Sequence, residues 1–582
     1  MTILGSRPVL YWYLYDSGKG NSSISIILTF HNRMTTAFSV TGHFVDIQNQ
    51  DIYPAEIQVS GKKIKAIKRI ADAPEQYLLP GFVDAHVHIE SSLLVPSEFA
   101  RLAVLHGTVA AVSDPHEIAN VCGMDGISFM IDNGNDTPFK FFFGAPSCVP
   151  ATPFETAGAA ISPDEIDQLF REKNLLYLAE MMNWPGVLSG DALVKEKIKL
   201  AIKYGKPVDG HAPGLMGENA AKYAAAGIST DHECFTIEEA RDKISYGMKV
   251  AIREGSAAKN FDALIDLMDE TPKQLMFCSD DKHPDSLLDG HINQLVARAV
   301  ALGKDMFDVL RAACITPVAH YGLDVGLCRD GDPADFIVVD NLVDFIPRQT
   351  YINGQMVANN GISEILSVSC IPINHFKAKP LSGNVFDLIK EEGPAKIIQV
   401  LDRQLITKTI EAEVSAKGGK VISDPEKDIL KIAVINRYAI NSKPQVALVK
   451  GFGLKEGAIA SSVAHDSHNI IVVGCTDEAM IQAANLIITH QGGLSAVTNE
   501  KESVLPLPVA GLMSHQDAFK VAEQYTLLDK MAKTLGSSLQ SPFMSLSFMA
   551  LLVIPQIKIS DQGLFDGEMF EFISVFEKKK EA

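Results

Sequence analysis

Two histidines one residue apart, His86 and His88, close the apolar run Leu79-Pro80-Gly81-Phe82-Val83-Asp84-Ala85. If the run is a strand, alternate side chains share a face, and both imidazoles can reach one metal ion. A solitary pair of this kind more often faces solvent. Here it has company: Asp114 and His116, Glu180, His211, His232, Arg253 with Glu254, and Asp280 with Asp281 each follow an apolar segment. Imidazole mixed with carboxylate, without cysteine, suits hard or borderline divalent cations. Six such side chains can make a two-metal site. A carboxylate bridging the two cations offsets their repulsion, and a water shared between them is acidified enough to furnish hydroxide at neutral pH. Taken singly, each residue has a bland alternative. Glu180 could cap a helix, His211 could satisfy a loop carbonyl, Asp280 could be a helix N-cap, and Arg253 with Glu254 could form a structural ion pair. Their recurrence at successive segment ends favours one shared site.

Those ends have to be brought together. Apolar segments at 82–88, 109–113, 141–145, 175–180, 207–211, 228–232, 249–253 and 275–279 alternate with helical stretches, the pattern of repeated βα units and a parallel sheet. Eight parallel strands close a barrel whose active sites lie at the strand C-terminal ends. The expected fold class is α/β, with a (β/α)8 TIM-type barrel over residues 80–320. Alternating segments flank the turn Ser60-Gly61-Lys62 before it, and strand texture returns over 331–339 and at Tyr351-Ile352-Asn353-Gly354 after it. Residues 38–79 and 321–365 are expected to form one small β-sandwich domain.

Residues 366–582 form a third region of mixed helix and strand, a C-terminal α/β domain with a lysine-rich tail, Lys578-Lys579-Lys580. Within it, Gly451-Phe452-Gly453-Leu454-Lys455-Glu456-Gly457 misses the G-x-G-x-x-G spacing by one position and reads as a turn. The polar run Ala464-His465-Asp466-Ser467-His468-Asn469 is either a hydrophilic turn or a lid or subunit contact. Residues 1–37 stand apart as an extension of unknown role, and Met34 is a candidate start because the regular pattern begins after it.

A chain of 582 residues suggests three or four units. With 52 basic against 71 acidic side chains the net charge is −19, which excludes a nucleic-acid partner. Eight scattered cysteines without a C-x-x-C pair exclude a disulfide framework and a cysteine zinc site. They suit reduced thiols, so a cytoplasmic location is expected. No apolar run reaches the roughly 18 residues of a membrane helix, so no membrane partner is expected.

Particular motifs narrow the reading: His88-Ile89-Glu90-Ser91-Ser92, Ser113-Asp114-Pro115-His116-Glu117-Ile118-Ala119-Asn120, Gly210-His211-Ala212-Pro213-Gly214, Thr230-Asp231-His232-Glu233, Ile252-Arg253-Glu254-Gly255-Ser256 and Cys278-Ser279-Asp280-Asp281. On these the chain resembles the amidohydrolase superfamily, and within it the adenine deaminase branch, from about residue 38 to the end. Where many relatives bridge their metals with a carboxylated lysine, the strand-4 position here is Glu180, a mark of that branch.

The resemblance implies hydrolytic deamination of adenine to hypoxanthine and ammonia, in purine salvage. His86, His88, Glu180 and Asp280 would hold one metal, and Glu180, His211 and His232 the second. Two Mn2+ per chain are implied, with Fe2+ an alternative because the donors do not separate them. Activated water would attack C6, with Asp280 relaying its proton to the leaving amine. Glu254 is the candidate donor to a ring nitrogen, with Arg253 and Ser256 near the base. Asp114, His116, Glu117 and Asp281 would orient histidine ligands or support substrate binding. A homo-oligomer is implied as well. The H-x-E plus P-C-x-x-C class of base deaminases is disfavoured, because His232-Glu233-Cys234 lacks the companion motif. Two alternatives stay open: a cyclic amide hydrolase or amino-sugar deacetylase on the same barrel, and a non-catalytic oligomeric scaffold.

Overall fold

The computed structural model describes residues 37–173 and 175–576. Nearly all of the N-terminal extension, the candidate start Met34 and the lysine tail lie outside the described residues.

Phe82–Val87 is buried along its whole length, and so is Thr108–Ser113, as expected of strands covered on both faces. Parallel pairing runs from Phe82–Val87 through Thr108–Ser113 to Lys140–Phe143, and a bridge from Ala145 to Leu178 carries it to Leu178–Met181. Val208–Gly210 pairs next, and a Val208–Ile228 bridge leads on to Thr230–Asp231, Lys249–Arg253 and Leu275–Cys278. A parallel bridge between Val87 and Asp280 returns the order to its start. The eight expected segments therefore follow one another as parallel neighbours, with helices between them. The helices are capped locally: Ser162 and Glu165 form a reciprocal capping box at the start of Pro163–Glu172.

The segments flanking this ring meet in a single eight-stranded hydrogen-bonded sheet whose two halves share one core, with Phe38 stacked on Tyr351 at 5.5 Å between centroids. Tyr77–Pro80 joins the halves, pairing in parallel with Ala37–Asp46 and antiparallel with Phe336–Val339. Gly61 (φ 59°) makes the tight turn between Asp51–Ser60 and Lys63–Arg69.

The C-terminal region contains a second eight-stranded sheet, in which Leu430–Ile435 and Ile470–Gly474 are fully buried central strands, with helix Asp477–His490 packed on one side. Gly451, Gly453 and Gly457 all have positive φ between strands Gln445–Lys450 and Ala458–Ser461, consistent with a turn. Helix Ala518–Thr534 packs on Pro284–Asp289, joining this region to the ring. All eight cysteines are free thiols, five of them buried. Among the described residues no helix is long and apolar enough to cross a membrane.

Candidate metal centre

The C-terminal ends of the parallel strands converge on one buried cluster. His86 and His88 extend from the first strand, and their Nε2 atoms are 3.1 Å apart. The His88 Nδ1 lies 3.2 Å from the Asp114 carbonyl oxygen, which fixes the proton on Nδ1 and leaves Nε2 free for a ligand. Glu180, from Leu178–Met181, sits between two groups of imidazoles. Its Oε1 is 3.1 Å from His88 Nε2, while its Oε2 is 2.6 Å from His211 Nδ1 and 3.3 Å from His232 Nε2. Asp280 Oδ1 lies 3.6 Å from His86 Nε2 and 3.4 Å from His88 Nε2. The Asp280 backbone has φ 55°, an uncommon value for a residue with a Cβ, directly after the last strand. All six side chains are buried.

Charge is divided sharply here. Burial alone would raise Glu180, but His211, His232 and His88 hold it well below the usual carboxylate range. Asp280 is held low in the same way, against burial, by Arg253, His86 and His88. Burial would lower His232, yet Glu180, Asp280 and Glu233 lift it to about 9. Asp281 moves the other way, pushed up to about 6 by burial and by the Asp280 charge.

Nitrogen and oxygen donors from these residues gather within ligand distance of one another in overlapping sets: His86, His88 and Asp280; His86, Glu180 and His232; and His88, Asp114, His116 and Glu180. His211 Nε2 is buried without a hydrogen-bond partner. Buried imidazole and carboxylate crowded this closely fit divalent cations, and no cysteine takes part.

Of the expected neighbours, His116 comes close: its Nδ1 is 3.1 Å from Asp114 Oδ2 and 3.5 Å from Glu180 Oε1. Asp281 accepts a 2.5 Å hydrogen bond from Ser91 Oγ at the cavity wall. Arg253 is fully inside, but its partners are Asp280, at 2.7 Å, and Glu233, so the alternative Arg253–Glu254 pair is not formed. Glu254 is not brought to the cluster. Its carboxylate points outward to Lys259 (2.9 Å) and Arg298 (3.0 Å), because neighbouring residues at a strand end face opposite sides. Ser256 is also outside, its Oγ accepting from the His283 amide and donating to Ser286.

Three contributors were not named as site residues from sequence. Glu233 forms the second arm of the Arg253 pairing. His465 and Asp466, from the C-terminal polar run, line the cavity over the cluster with Leu405, Phe548 and Leu551. That run is buried against the strand ends. The cavity is about 30 Å3.

Residues 77–357 match the amidohydrolase family model, and residues 404–571 match the adenine deaminase C-terminal domain. A Salinibacter ruber adenine deaminase is 54% identical over 544 residues, covering 93% of this chain and 100% of its own. A Sulfurovum adenine deaminase is 55% identical over 532 residues, covering 91% and 98%. The Borreliella burgdorferi adenine deaminase is 51% identical over 543 residues, covering 92% and 99%. Such similarity extends through both the parallel-strand region that builds the cluster and the C-terminal region that covers it, and the chain belongs to the adenine deaminase family of the amidohydrolases.

Proposed function

We propose that this protein hydrolyses adenine to hypoxanthine and ammonia, the activity for which its relatives are named, in purine salvage. The observation that carries the reading is the division of Glu180, one oxygen toward His88 and the other toward His211 and His232. One carboxylate can then serve two cations. We assign His86, His88, Glu180 and Asp280 to one ion and Glu180, His211 and His232 to the other, with Mn2+ expected and Fe2+ compatible with the same donors. Bound divalent cations supply Lewis acidity that lets water act as a nucleophile near neutral pH.

The side chains supply the rest. Arg253 holds Asp280 Oδ2, leaving Oδ1 turned toward the histidines. From there Asp280 accepts the proton of the attacking water and returns it to the amine leaving C6. Addition at C6 pushes electron density onto the ring nitrogens, which a hydrogen-bond donor facing the cavity must stabilise. That requirement leaves out Glu254. Leu405, Phe548 and Leu551 give the cavity an apolar wall that excludes water around a planar base.

The same reading divides the chain into a β domain (38–79 with 321–365), a (β/α)8 hydrolase barrel (80–320) and a C-terminal domain (366–582), in a cytoplasmic homo-oligomer. The test is a panel of adenine, a cyclic amide and an N-acetylated amino sugar. Ammonia release from adenine alone supports the assignment, and turnover of either rival substrate in its place reverses it.

A further inference from the structure

Glu117 follows His116 at the start of the helix after the second parallel strand, and both of its oxygens face the C-terminal region. Oε1 lies 2.8 Å from His465 Nδ1, and Oε2 lies 2.9 Å from His468 Nε2. All three side chains are buried. The trio is compact enough to surround a cation. However, the Ala464 amide donates to His468 Nδ1 at 3.3 Å, which leaves the His468 proton on Nε2, facing Glu117. The carboxylate is thus clamped between two imidazoles.

The clamp has a direction. The His465 ring has Nδ1 toward Glu117 and is stacked on Phe548 at 4.9 Å between centroids. His465 and Phe548 both line the cavity over Glu180, His232 and Asp280. The ring nitrogen left for a ligand is Nε2. A carboxylate holding one imidazole nitrogen while the other serves the substrate is the arrangement that fixes a histidine's tautomer in acid–base sites.

We propose that His465, held by Glu117, is a catalytic residue contributed by the C-terminal region, and that its Nε2 donates a hydrogen bond to a ring nitrogen of the purine while C6 is attacked. The proposal rests on the adenine reading above and supplies the donor that Glu254 cannot. Burial would lower the His465 imidazole, but Glu117, with Asp281 and Asp466, outweighs it and lifts the group to about 9. Glu117, in turn, is a positioning residue. The arrangement also gives the C-terminal region a part in the reaction, through a side chain that the barrel alone does not possess.

The test uses the metal-replete full chain and begins with wild-type turnover of adenine; if that is absent, the adenine reading itself fails. Given wild-type turnover, His465→Ala is expected to keep the wild-type metal content and lose about 10²–10³-fold in kcat, the cost of removing one preorganised donor. Free imidazole, which fits the space the ring leaves, is expected to restore part of the rate. A kcat within about threefold of wild type, or a loss that imidazole leaves unchanged, overturns the proposal. A second measurement needs no variant: in a crystal of the wild-type holoenzyme with hypoxanthine, His465 Nε2 is expected within about 2.6–3.2 Å of a ring nitrogen. A purine bound out of reach of His465 overturns it.

Discussion

Arg253 Nη1 lies 2.7 Å from Asp280 Oδ2, and Glu233 pairs with both Nη1 and Nη2, so one buried cation is shared by two buried carboxylates. The pairing leaves only Oδ1 of Asp280 for the histidine cluster. It follows that Asp280→Asn, which keeps shape but cannot accept the proton, is expected to retain the folded circular dichroism spectrum and lose at least ~10³-fold in kcat. A near-normal rate would remove Asp280 from the proton relay.

Removing the cation has a different signature. Arg253→Met leaves Asp280 and Glu233 buried without their counter-charge, and breaking a buried pair in this way costs about 3–5 kcal/mol. Urea unfolding of the metal-free proteins, followed by fluorescence, reads the difference directly. A change under about 1 kcal/mol would mean that the pairing contributes no more than a surface pair.

Glu254→Gln tests the outward placement of that residue. It loses contacts to Lys259 and Arg298 near the surface, so turnover of adenine is expected to stay within about twofold, with a stability cost of about 1 kcal/mol or less. A large fall in kcat with KM unchanged would return Glu254 to the reaction.

Metal removal is expected to abolish activity and lower the melting temperature, because a cation bound only by the folded state stabilises it, by about 2.7 kcal/mol at a hundred times its Kd. Dialysis against a chelator followed by Mn2+ titration measures both. Activity retained in protein shown by elemental analysis to be metal-free would contradict the assignment of the cluster.

Lys558 lies under the cavity wall. Its fully buried ammonium donates to the carbonyls of Leu405 (2.6 Å) and Phe548 (3.0 Å), and burial lowers it to about 7. In the unfolded chain the amine stays protonated to about pH 10.4, so between about 7 and 10.4 unfolding takes up a proton and stability rises with pH. Below about 7 both states carry the proton and the contribution is flat, at its lowest. Lys558→Met is expected to make the slope of unfolding free energy against pH shallower in that window, by up to about 1.4 kcal/mol per pH unit. Identical slopes would contradict the depressed value.

Much of the centre was readable before folding because its parts are local. His86 and His88 share a strand face by period-two geometry, and Glu180, His211, His232 and Asp280 each terminate an apolar segment. Glu254 misled because it adjoins Arg253, and at a strand end adjacent side chains diverge: Arg253 turns inward while Glu254 turns to Arg298 on helix Ile292–Ala301. That the two flanking segments join through Tyr77–Pro80 was not legible, because strand pairing is a tertiary choice that alternation does not encode. His465 and Asp466 lie more than three hundred residues from Glu117 and His116, and their polar run carried no hint of which surface it would cover.

The central claim, that this cluster removes the amino group of adenine, is tested most directly by product analysis of purified, Mn2+-loaded protein incubated with adenine. Hypoxanthine and ammonia are expected in equal amounts from the wild type, with no detectable hypoxanthine from Asp280→Asn. Adenine recovered unchanged by the metal-loaded wild type would contradict the account.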